Sequence, residues 1–191
     1  MTGKRILLTA FCGTSAELLI KGAESDSQYR VLYLPNDKVE DSALLIKALQ
    51  QEHFDYVVSF GQRPNIKDKV HIETRACKGN EYLSTAFDCT GLKYAFEKNG
   101  LETKLSDNAG TSFCNELYWN GLRYLKESKL GTKMVFIHVP FEKNISDIDE
   151  FGHKLRIGFR ELLVKETASC PTIADLQKKI TGSGTGQRPL L

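Results

Sequence analysis

The chain has no run approaching the eighteen or so consecutive apolar residues that a membrane helix needs. It also has no excess of either charge, with 26 Lys and Arg against 24 Asp and Glu in 191 residues. The first absence excludes a helical membrane span. The second removes the electrostatic reason to expect a nucleic acid or an anionic membrane surface as partner. Cysteine is sparse and odd in number: Cys12, Cys77, Cys89, Cys114 and Cys170 show no C-x-x-C spacing. That argues against a disulfide framework and fits a reducing, cytoplasmic compartment. The four histidines are dispersed, with no pair on one helical face, so neither a metal nor another cofactor is expected. The opening MTGKRILLTAF places basic residues before a short apolar run that passes into Cys12 and Gly13 without a cleavage-site pattern. It reads as a first strand.

What is present is an alternation of two periods. Apolar runs of strand length fall at Arg5 to Phe11, Tyr29 to Pro35, Tyr56 to Gly61, Val70 to Ala76, Thr103 to Ser106 and Met134 to Val139. Helical spacing is read at Ser15 to Lys21, Ser42 to Gln51, Ser84 to Lys98, Phe113 to Lys126 and Asp147 to Lys165. Asn99-Gly100 supplies a C-terminal stop for the third helix. Strands that are apolar on both faces and alternate with helices predict an α/β fold, a three-layer α/β/α sandwich with a mixed, largely parallel central sheet. One domain is expected over 1–174. From about Asp175 the chain turns polar and Gly-rich through TGSGTGQRPLL, and a mobile tail is expected over 175–191.

Three residues stand out chemically. Cys114, in SDNAGTSFCNELYWNGLRYL, falls at the start of an amphipathic helix that follows a strand. The unpaired N–H groups and positive dipole end of a first helical turn lower a thiol pKa and can bind a developing oxyanion. Most cysteines are packed core residues, so position alone does not make Cys114 a nucleophile. His138, in KMVFIHVPF, stands near the carboxyl end of an apolar strand, where functional groups of open α/β sheets gather. In VHIETRA, Ile72 is assigned to one face of a strand and Glu73 to the other, with His71 placed on the Ile72 side. If Cys114, His138 and Glu73 meet, they form a nucleophile, a base and a carboxylate that orients the base.

These segments resemble a known family. SDNAGTSFCN is similar to the active-site cysteine segment of the pyroglutamyl peptidase I family, and FIHVP to its histidine segment FxHVP. IETRA resembles the glutamate segment, although Thr74 intervenes before Arg75, and FGQ at Phe60 to Gln62 resembles a Gly-Gln pair upstream of it. The resemblance implies a cysteine peptidase that removes an N-terminal pyroglutamyl residue from peptides through an acyl-enzyme. Cys114 would be the nucleophile, His138 the general base and Glu73 the orienting carboxylate. Phe11, Gln62 and Phe113 would line the lactam pocket, and small peptides would be the partners; a homo-oligomer is compatible with this reading. The chain departs from the family in its first loop, FCGTSA, where a Phe-x-Pro-Phe-Gly-Gly motif is expected. It also departs in a shortened stretch between Glu73 and Cys114 that lacks a counterpart of the family's basic residue at the oxyanion site; Arg75 is the nearest substitute in sequence. Two alternatives therefore stay open. One is an intact triad acting on another small acyl or peptide substrate, and the other is a non-catalytic binding module.

Overall fold

The computed structural model describes residues 4–168. The tail expected over 175–191, and Cys170, lie outside the described residues. The elements follow the order β1 (Ile6–Phe11), α1 (Ser15–Ile20), β2 (Tyr29–Leu34), α2 (Lys38–Gln51), β3 (Tyr56–Arg63), β4 (Lys69–Glu73), β5 (Arg75–Lys78), β6 (Glu81–Ser84), α3 (Cys89–Lys98), β7 (Glu102–Ser106), α4 (Phe113–Ser128), β8 (Lys133–Pro140) and α5 (Ile148–Ala168). Six strands form one sheet in the order β2-β1-β3-β8-β4-β7, and β5 and β6 form a separate hairpin. β2, β1, β3 and β8 are mutually parallel. β4 joins β8 antiparallel and carries β7 parallel to itself. The sheet is mixed and mostly parallel, as the alternation predicts.

Side-chain alternation divides the core in two. Ile6, Leu8, Val58, Phe60, Val135, Ile137 and Val139 pack with residues of α1, α3 and α5. Leu7, Phe11, Val57, Met134 and Phe136 pack with residues of α2 and α4. The central strands are thus buried on both faces, which is why β1, β3 and β8 read as nearly unbroken apolar runs. No helix among the described residues is long and apolar enough to cross a membrane.

Local chemistry sets the helix ends. Asp37 caps α2, accepting from the N–H groups of Val39 and Glu40. That cap starts the helix four residues before the Ser42 boundary predicted from apolar spacing. Asp88 caps α3 at Gly91, so the stretch from Ser84, expected to begin this helix, instead ends β6 and turns. The single strand expected over Val70 to Ala76 is broken at Thr74, whose N–H and hydroxyl both donate to the Ser106 carbonyl. After that break the chain leaves the sheet as the β5–β6 hairpin.

The α3–α5 contact requires a glycine. A Cβ on Gly158 would lie 2.3 Å from Cδ1 of Phe96, which is fully buried. Gly158→Ala should therefore lower the denaturant midpoint. Overpacking costs about 1–3 kcal/mol, against a gain of about 1 kcal/mol in helix propensity. A midpoint at or above the parent value would show that Phe96 has room to move.

Candidate active site

The sheet brings its three chemical residues together from three elements. His138 and Phe136 of β8 point to the α2/α4 side, and the antiparallel register sets His71 opposite His138 and Glu73 opposite Phe136. Glu73 is therefore the diagonal neighbour of His138 on one face. Its Oε1 lies 2.8 Å from His138 Nδ1. An ionised carboxylate only accepts, so Nδ1–H is the donor and Nε2 keeps its lone pair. His71 shares this face with Glu73, not that of Ile72 as assigned above, because side chains two residues apart in a strand point the same way. Burial and Arg63 lower its imidazole pKa, and its Nδ1 is buried without a hydrogen-bond partner.

Cys114 arrives from above. Gly61 of β3 is the register partner of His138, and a Cβ built on Gly61 would lie 2.7 Å from Cys114 Sγ and 2.8 Å from Phe136 Cζ. The thiol thus occupies the space that any side chain at position 61 would fill, over the strand next to the imidazole. The start of α4 is held from two sides. Asn115 accepts from Cys77 N–H at 2.9 Å and donates to the Cys77 carbonyl at 2.6 Å, which fastens the β5–β6 hairpin to the helix. Tyr118, one turn further on, donates from its hydroxyl to the Glu73 backbone carbonyl at 2.9 Å. The N-cap residue Ser112 makes no side-chain cap, which leaves the first-turn N–H groups without a side-chain acceptor there.

The thiol does not have the lowered pKa expected from its helix position. Burial pushes Cys114 up to about 12, and the charges of Glu73 and Asp41 add to the rise. Its own backbone N–H and Arg63 act in the opposite direction. Desolvation outweighs the dipole. Asp41 itself is buried with both carboxylate oxygens unpartnered, and burial raises its pKa.

Arg63 is a neighbour of the cluster that the sequence did not single out. Its Nη1 donates to Glu73 Oε1 at 3.1 Å and to the Asn108 carbonyl at 2.9 Å. It therefore joins the carboxylate to the loop that leads into Cys114. The only signal in the sequence was its place two residues beyond Gly61. Arg75, offered as the substitute cation, is engaged elsewhere. It pairs with the backbone and side chain of Asp107 and stacks on Tyr82.

The expected pocket residues divide. Phe11 and Phe113 do meet, edge to face with centroids 6.5 Å apart, and Lys38 Nζ lies 5.9 Å from the Phe113 ring centre. Phe113 is 37 % exposed, so this wall is open. Gln62 alternates to the other side of the sheet from Gly61 and Arg63, where its Oε1 lies 3.5 Å from the Ser15 N–H at the start of α1. The first loop is a tight capping turn. Thr14 caps α1 and donates to the Phe11 carbonyl, while Glu17 reaches back to the Gly13 N–H.

The fold and this cluster define an α/β/α protein with a thiol, an imidazole and a carboxylate gathered on one sheet face near the carboxyl end of a central strand. The chain matches the sequence model of the pyroglutamyl peptidase family over residues 78–154, a span that holds Cys114 and His138. It is 26 % identical over 170 residues to a pyrrolidone-carboxylate peptidase of Fusobacterium nucleatum, covering 72 % of this chain and 78 % of that protein. It is 24 % identical over 170 residues to one of Bacillus licheniformis, covering 73 % and 79 %. The fold is shared with pyroglutamyl peptidase I of Bacillus amyloliquefaciens, at a TM-score of 0.72 and 18 % identity over 85 % of this chain and 96 % of that one. It is also shared with a pyrrolidone carboxyl peptidase of Fervidobacterium islandicum, at a TM-score of 0.73 and 18 % identity over 83 % and 98 %.

Two outcomes follow from this geometry. Near neutral pH, iodoacetamide should label exposed Cys12 before Cys114, and the Cys114 rate should climb into the alkaline range without levelling off, read by peptide mass mapping. A plateau at or below neutrality would mean a preformed thiolate. Arg63→Met should lower stability in chemical denaturation by about 1.5–3 kcal/mol, the scale of a hydrogen bond to a charged group, and Arg63→Lys should lose less. Equal effects from the two variants would remove Arg63 from the support of Glu73.

Proposed function

We propose that the protein is a cysteine peptidase that hydrolyses the bond after an N-terminal pyroglutamyl residue, with Cys114, His138 and Glu73 as its triad. The observation that carries this reading is the 2.8 Å contact between Glu73 and His138 on the face where Gly61 makes room for the Cys114 thiol. The likeness to the pyroglutamyl peptidase model and to pyrrolidone-carboxylate peptidases supports the substrate class.

The chemistry follows from the proton positions. With Nδ1–H held by Glu73, Nε2 of His138 takes the thiol proton as Sγ bonds to the pyroglutamyl carbonyl carbon. Because burial keeps the resting thiol protonated, proton transfer accompanies attack instead of preceding it. Negative charge passes to the carbonyl oxygen, and the Cys114 N–H in the uncapped first turn of α4 is its donor. Collapse of the tetrahedral intermediate breaks the C–N bond, and the imidazolium gives its proton to the leaving amine. A water deprotonated by His138 then attacks the thioester, releases pyroglutamate and restores the thiol. Glu73 keeps the imidazole in one tautomer and offsets its transient positive charge. The apolar faces of Phe11 and Phe113 suit a flat, neutral lactam ring.

One observation favours a second reading. The Thr14–Glu17 capping turn stands where the family pattern has a second aromatic, so one wall of a lactam pocket is open and a different small acyl group is the alternative substrate.

Cys114→Ser should reduce hydrolysis of a fluorogenic pyroglutamyl amide by at least about a thousandfold with little change in Tm. Glu73→Gln should cost less in kcat than His138→Ala, since an orienting group is more dispensable than the base. Hydrolysis that survives Cys114→Ser would sink the triad. Absent hydrolysis, with Cys114-dependent cleavage of other small acyl amides, would establish the second reading.

A further inference from the structure

The face of the sheet opposite Cys114 carries a cavity that the peptidase chemistry does not use. α1 is only six residues long, too short to cover the β1–β2 face that the longer α2 and α4 cover on the other side. A turn over residues 21–28 closes the gap incompletely and leaves a cavity of about 460 Å³ between that turn and α5. The volume falls within the range of small-molecule sites. Its floor is apolar, with Leu8 and Val58 from the strands and Leu155 and Phe159 from α5, all buried side chains of the core.

The rim has a different character. Lys21, Arg156 and Arg160 line the mouth and are exposed, and none of the three forms an ion pair among the described residues. The acid on the rim, Asp26, is held by its own turn, where it accepts from the Gln28 N–H at 2.9 Å. Three cations without an ion pair among the described residues, against the single acid Asp26, make a rim of net positive charge over an apolar floor. A neutral hydrocarbon would leave the cations unanswered, and a small hydrophilic anion would leave the floor uncovered.

We infer that this cavity is a binding site for an apolar monoanion, a short hydrocarbon or aromatic body bearing one carboxylate, with the body on the Leu8, Val58, Leu155 and Phe159 floor and the carboxylate at Arg156, Arg160 and Lys21. The two arginines lie four residues apart on α5 and so share a helix face, which allows both guanidiniums to reach one carboxylate. The site is separate from Cys114, and the inference does not depend on the reaction proposed there.

The test is calorimetric titration of the full chain with octanoate, and with octanamide as its uncharged counterpart. Octanoate should saturate at one molecule per chain and raise Tm, and octanamide should bind at least about tenfold more weakly. Arg156→Gln/Arg160→Gln, on the exposed rim, should weaken octanoate at least about tenfold with unchanged circular dichroism. Ala23→Trp, which places an indole in the mouth, should abolish binding with the fold intact. No saturable binding of octanoate, equal binding of octanamide, or an affinity indifferent to the double substitution each overturns the proposal.

Discussion

The hydrogen bond between Glu73 and His138 spans the only antiparallel joint of the six-stranded sheet, and the rest of the site is arranged around it. Glu73 has no solvent exposure and His138 has 4 %. A carboxylate so deeply buried is tolerable only when paired, because removing an ion from water costs several kcal/mol. Oε1 receives both His138 and Arg63, whereas Oε2 is buried without a partner. The pairing works only because β4 runs against β8. A parallel β4 in that position would carry different residues to the imidazole, so the change of strand direction at β8 is the constraint that the Glu73–His138 pair rests on. Thr74 then ends the strand immediately, and Tyr118 ties the Glu73 carbonyl to the helix that carries the thiol.

Close approach is the second requirement. The thiol can lie against the sheet because residue 61 has no side chain and because Phe136 fills the adjacent space. This proximity buries the sulfur, and burial favours the neutral thiol over the thiolate. The same packing that brings the thiol and the imidazole onto one face therefore raises the thiol pKa. The local field of a helix terminus, considered without its surroundings, predicts the opposite direction. Arg63 moderates the conflict by placing a positive charge near both the carboxylate and the sulfur.

The two faces of the sheet are covered to different extents. On one side α2 and α4, of 14 and 16 residues, cover the strands fully and deliver Cys114 and the Asn115 clamp. On the other side the six-residue α1 leaves room that α5 borders but does not fill. A capping turn begins α1 directly after β1, which makes the first loop short, and the aromatic pair Phe11–Phe113 stands near the cluster.

Local rules recovered much of this molecule. Alternation of apolar runs, the Asn99-Gly100 stop and the helical spacing of Leu117, Leu122 and Leu125 depend on a few neighbouring residues, and the elements they predict are present. Cys114 at a helix start and His138 late in a central strand were legible for the same reason. The break at Thr74, the β5–β6 hairpin and the capped start of α2 were not, since each depends on a hydrogen bond that apolar periodicity does not register. The side of the strand taken by His71, the turning of Gln62 toward α1 and the capture of Glu73 by Arg63 depend on which strands pair and in what register. By itself, then, the sequence determined the elements, their order and the residues able to do chemistry, because these follow from nearest-neighbour sterics and periodicity. Only the tertiary structure decided which of those residues share a face, how deeply the thiol is buried and which cation stands beside the carboxylate, because these are contacts between segments far apart in the chain.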